Sequence, residues 1–203
     1  FVDTIGKRFA TLPRYDEGAF QDIYDIVSVE PVKETDKVMM GMLTSLGIER
    51  GKPYAPDDTT KRAMRAAAAD AWFYLQGQFD ATFAGKGYWP DRHYTGVALP
   101  DANRTFTYVY NDRIDLIPRA LLYFFATCLP EKDADRPANQ YLAAIADKNG
   151  HPLEGGKLYS LTVPKDMPVK QFWALTVYDR ATFAFIYTDS ERTTLSSLDL
   201  AKM

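Results

Sequence analysis

The sequence predicts an α+β chain: helices first, then an antiparallel β-sandwich or jelly-roll-like domain that is incomplete. Three observations carry this. Apolar residues recur at helical spacing up to about Phe83. After residue 100 they alternate instead, as on a strand with one covered face. The alternating stretches are short, lie about ten residues apart, and are divided by turn residues. On this basis residues 1–86 form a helical linker region and residues 87–203 an antiparallel β-rich domain that lacks closing strands.

Taken in order, Val2, Ile5 and Phe9 have helical spacing, and Pro13 stops the pattern. Asp16 to Val29 follows, with Phe20, Ile23, Tyr24 and Val27 on one face and Pro31 beyond its end. In the third helix Thr35 or Asp36 is placed to cap, and Met39, Met42, Leu43 and Leu46 fall at i, i+3, i+4 and i+7. Gly47 stands where a helix C-cap glycine belongs. The Met stripe reads as core packing rather than a pliable binding groove. Asp57 or Asp58 then starts a long helix, from about Thr59 to about Phe83. Its stripe is Met64, Ala68, Ala71, Trp72, Leu75 and Phe79, and Gly85 and Gly87 end it.

From Tyr88 the texture changes to a ring-rich loop holding Trp89, His93 and Tyr94. Thr105–Tyr110 alternates as a strand, with Phe106, Tyr108 and Tyr110 on one face. Leu116–Leu129 is mostly apolar and ambiguous between helix and strand. Its length and the early Pro118 favour a helix. Four strands are expected after that: Tyr141–Asp147, Lys157–Val163, Phe172–Tyr178 and Phe183–Thr188, with a turn at Lys148-Asn149-Gly150.

Composition excludes several functions. Net charge is −3, from 24 basic and 27 acidic residues, so the basic excess of a nucleic-acid-binding face is absent. No apolar stretch reaches the ~18–20 residues that cross a bilayer, and no charged-then-apolar leader opens the chain. A first residue of Phe rather than Met leads to the expectation that the natural N-terminus lies upstream. The one cysteine, Cys128, sits in an apolar run and reads as a small buried hydrophobe, not a reactive thiol.

The stretch from Gly155-Gly156-Lys157-Leu158-Tyr159-Ser160-Leu161 through Val169 to Arg180, most specifically Phe172–Asp179, resembles the family called domain of unknown function 1214. Leu195-Ser196-Ser197-Leu198-Asp199 is similar to it as well, and Met39 to Pro53 resembles the helical link placed before that domain. In such proteins a domain of unknown function 1254 comes first. The resemblance implies a β-sandwich or jelly roll with helices attached, within a longer bacterial protein. Its partners would be an upstream domain and C-terminal strands of the same protein. It leans the location toward the periplasm or exterior, with the cytoplasm as the alternative. It carries over no catalytic residues.

The chemistry-bearing residues are few. Two histidines, His93 and His151, are too few for a His-rich zinc or iron site, so no metal or cofactor is expected. His151 follows a turn and reads as a solvated surface residue. His93, among Trp89, Arg92 and Tyr94, is a candidate ligand or catalytic group. Asp112 and Asp115 lie beside Tyr108 and Tyr110. Paired carboxylates next to sugar-holding rings are what a glycosidase uses. The structural alternative makes Asp115 a helix N-cap and pairs Arg113 with Asp112. Asp179 and Arg180 mark a strand-joining turn, where Asp179 either bonds the backbone or, with Arg180, meets a ligand. There is no Gly-x-Ser-x-Gly elbow, phosphate-cradling loop or dinucleotide fingerprint. Two functions follow. One is a non-catalytic binding or scaffold module, with a glycan or small molecule as ligand. The other is a glycan hydrolase using Asp112 or Asp115 with tyrosines as a platform.

Overall fold

The computed structural model describes residues 5–7, 12–83, 87, 89–90, 92–96, 101–125, 141–186, 188–190 and 192–199. These residues are mixed helix and strand. In order they form α1 (Gly18–Val29), a 3-10 turn (Glu34–Asp36), α2 (Lys37–Ser45), α3 (Asp58–Phe83), β1 (Thr95–Gly96), α4 (Leu116–Phe125), β2 (Leu142–Ala143), β3 (Ala174–Thr176) and β4 (Thr194–Ser196). The chain divides into two compact units, one of Pro13–His151 and one of Phe1–Leu12 with Pro152–Met203. The expected boundary after residue 86 lies inside the first.

The helices follow their caps and stripes. Asp57 accepts from the Thr60 N–H at 2.7 Å and starts α3. Met64, Ala68, Phe79 and Phe83 are its buried apolar residues, on one stripe of about four-residue spacing. Phe79 meets Phe83 at 4.5 Å between ring centroids and Phe124 of α4 edge-on at 6.5 Å. Tyr15 adds a second edge contact to Phe124. This aromatic cluster is the centre of the first unit.

α2 stops as its glycine predicts. Gly47 has φ +78°, its N–H donates to the Thr44 carbonyl, and the Ile48 N–H reaches back to Leu43. That pair of bonds is a Schellman motif, and the chain turns Ile48 into the interior, 1% exposed. The Met stripe departs from expectation: Met39, Met42 and Leu46 stay exposed. α1 is held by directional contacts rather than by burial. Tyr24 stacks on Tyr54 at 5.4 Å and donates to the Lys52 carbonyl, and Arg65 of α3 forks onto the Glu17 carboxylate.

The β-structure is smaller than the alternation predicted. β1 pairs antiparallel with β2 (Thr95 opposite Ala143), and β3 with β4 (Leu175 opposite Leu195). Both sheets are two-stranded. The described residues close no barrel and fall short of the expected sandwich or jelly roll. Tyr141–Asp147 and Phe172–Tyr178 contribute only the short strands β2 and β3. Among the described residues, Lys157–Val163 and Phe183–Thr188 hold no strand, apart from a single bridge between Tyr178 and Phe185.

Thr105–Tyr110 is not a strand either, and the reason is local. The Asp101 carboxylate accepts from the N–H groups of Asn103, Thr105 and Tyr108 and from the Thr105 hydroxyl, at 2.7–2.9 Å. Arg104 and Tyr108 take left-handed φ values of 62° and 54°; the Tyr108 N–H goes to the Asp101 carboxylate and the Arg104 N–H to the Asp101 main-chain carbonyl. The side chain thus does the hydrogen bonding that a ladder would have done. Tyr108 is buried, and the chain reverses through a Val109–Ile114 bridge before α4.

Two stability outcomes follow. Asp101 feels burial, which raises its pKa, but the bonds from Thr105, Tyr108 and Asn103 outweigh this and hold the carboxyl below its ordinary value. Asp101→Ala strips an acceptor from three N–H groups and lowers the unfolding free energy by about 3 kcal/mol in urea denaturation; Asp101→Asn, which keeps one acceptor oxygen, loses roughly half of that. Glu17 is held at about 2, first by the Arg65 side-chain bonds and then by a backbone bond at Glu17 itself. Its folded pKa lies below its unfolded one, so its contribution is complete above pH ~4.5 and disappears as pH falls toward 2. The gap in melting temperature between the native chain and Glu17→Gln is therefore constant at neutral pH and closes across that acid window.

Candidate functional site

The residues singled out from the sequence fall into three places. The first is the loop and turn flanking the β1–β2 pair. Gly87 opens the loop, and a Cβ built there would sit 1.9 Å from the Arg92 carbonyl oxygen, so only glycine permits this close approach. The fold brings Trp89 and Arg92 together through an Arg92 N–H to Trp89 carbonyl bond. Two residues before β1, His93 turns its Nε2 to the Lys148 carbonyl at 3.3 Å. A carbonyl only accepts, so Nε2 is the donor in this contact. Trp89 and His93 are exposed and Tyr94 is half-buried.

The opposing turn is Asp147–His151. The Asp147 carboxylate accepts from the Asn149 and His151 N–H groups at 2.8 and 3.0 Å, and Gly150, at φ +81°, donates to the Asp147 carbonyl. The bond from the His151 N–H is the main reason that Asp147 stays below the usual carboxylate range. His151 Nδ1 lies 3.6 Å from Asp147 Oδ2, an ion pair only when the ring is protonated. The ring of His93 also passes within 3.9 Å of where a Cβ on Gly150 would stand. Both histidines of the chain thus come to one turn, a convergence the sequence reading did not find. The signal for the turn itself is Lys148-Asn149-Gly150. Nothing local marks its pairing with a loop more than fifty residues away. Among the described residues no group of three His, Cys, Asp or Glu side chains is arranged to hold a metal.

The second place is the hairpin before α4. Arg113 lies on both carboxylates, with Nη1 3.3 Å from Asp112 and Nε 2.9 Å from Asp115, and its guanidinium covers the Tyr110 ring at 4.5 Å. The Tyr110 hydroxyl accepts from the Ala102 N–H, and Tyr108 is buried. Asp115 immediately precedes α4, as a cap residue would, but its carboxylate is turned to Arg113. A general acid must be held protonated beside an ionised partner. Here one guanidinium lies against both carboxylates.

The third place is the Asp179 turn. Its carboxylate accepts from the Thr182 hydroxyl and N–H at 2.7 and 2.9 Å, which lowers its pKa. Its carbonyl takes the N–H of Phe183, a residue at φ +54°. Arg180 lies over the Phe183 ring at 5.2 Å. These contacts match the backbone-bonding reading of Asp179. Further along, Asp199 accepts from the Ser196 N–H at 2.8 Å and Ser197 donates to the Trp173 carbonyl, so the Leu195–Asp199 motif seals the end of the β3–β4 pair.

Two surface clefts lie elsewhere. One, of about 230 Å³, is lined by Tyr15, Ala69, Trp72 and Phe73. The other, of about 340 Å³, is lined by Glu17, Gln21, Tyr54, Pro56 and Lys61 among others. Neither is lined by a candidate catalytic or ligand-binding residue. No helix among the described residues is long and apolar enough to cross a membrane.

Asp179→Ala removes the carboxylate that accepts from the Thr182 N–H and hydroxyl and holds the turn. It should destabilise the chain by about 1–2 kcal/mol and speed amide exchange at Thr182 and Phe183 while leaving exchange in α3 unchanged.

No curated protein matches the chain. The resemblance read from Gly155 to Asp199 is met by a family model: residues 138–203, the C-terminal part of the chain that holds the Asp147 and Asp179 turns and the β3–β4 pair, match the family described as "Protein of unknown function (DUF1214)".

Proposed function

We propose that the chain is a non-catalytic binding module that docks another protein surface. One observation carries this reading. No described residue from 152 to 199 is buried, and Leu158 (100% exposed), Leu161, Phe172, Val177, Tyr178 and Phe185 all stand open. An apolar surface on this scale marks an interaction site. A two-stranded ribbon is also marginal by itself and gains stability when a further surface covers it. Additional strands, completing a sandwich or jelly roll, are the cover that this proposal favours. The module reading also agrees with the use made of the charged groups, since Asp147 and Asp179 hold turns and Arg113 ties Asp112 to Asp115. A glycan platform fits less well, because Tyr108 is buried and one face of Tyr110 is covered by Arg113.

Two measurements test the proposal. With near-ultraviolet circular dichroism showing intact tertiary structure, the native chain should take up the apolar dye bis-ANS. Leu158→Glu combined with Phe185→Glu should reduce that uptake at least threefold without changing helix content. A native chain that binds no dye would overturn the docking reading. In parallel, release of reducing ends from a panel of polysaccharides should stay at background for the native chain. Hydrolysis that is abolished by Asp112→Asn or Asp115→Asn would establish the hydrolase instead.

A further inference from the structure

No further inference is drawn: the strongest candidate, the exposed apolar ridge of Val38, Met42 and Leu46 along α2, is an open helix face, and nothing in the structure shows what covers it.

Discussion

Aspartate bonding to nearby backbone N–H groups is the interaction on which the non-helical parts of this chain depend. Asp101 and Asp147 each accept from the residues two and four positions on, and Asp179 accepts from the residue three positions on. Arg104, Tyr108 and Phe183, the three non-glycine residues described at positive φ, all donate their N–H groups to Asp101 or Asp179. Left-handed backbone costs roughly 1 kcal/mol or more for a side-chain-bearing residue. At Tyr108 a charge-assisted bond of about 1.5–3 kcal/mol to the Asp101 carboxylate offsets it, while Arg104 and Phe183 donate to the main-chain carbonyls of Asp101 and Asp179. Loops of this kind keep their shape without a ladder, because each carboxylate gathers several donors that would otherwise need water or a strand partner.

This explains which parts of the fold were legible in the sequence. Helices are local objects, so Met64, Ala68 and Phe79 of the α3 stripe, the cap at Asp57 and the stop at Gly47 could be read directly and are found in place, though Ala71 is exposed and Gln76 is buried instead. Strands depend on partners. Thr105–Tyr110 alternates well, but alternation only states that a segment suits a pleated surface; it names no neighbour. Asp101, four residues before it, supplies a competing set of bonds and bends the segment. The expected hairpin between Phe172–Tyr178 and Phe183–Thr188 failed for a related reason. Only the Tyr178–Phe185 bridge joins the described residues of these segments, and Thr194–Ser196 is the partner of β3.

The candidate site was legible in the same uneven way. Asp179 was read as either a backbone-bonding turn residue or a ligand group, and its contacts are those of the first. Arg113 was expected to pair with Asp112, and it also takes Asp115, whose adjacency in sequence concealed a shared counter-ion. The meeting of His93 with the Asp147–His151 turn was invisible, since it is produced by the β1–β2 register. Side chains brought together by pairing across the chain leave no trace in local spacing.

The end of α2 binds two levels of structure into one tripeptide. Leu46-Gly47-Ile48 terminates the helix, and the same turn delivers the most enclosed side chain described, Ile48. Winding advances about 100° per residue, so a single residue gained or lost within α2 would swing the glycine around the axis and draw the isoleucine out of the interior. The length of α2 is thereby counted by the core: this helix can drift in composition along its outer face, but it cannot change its number of residues.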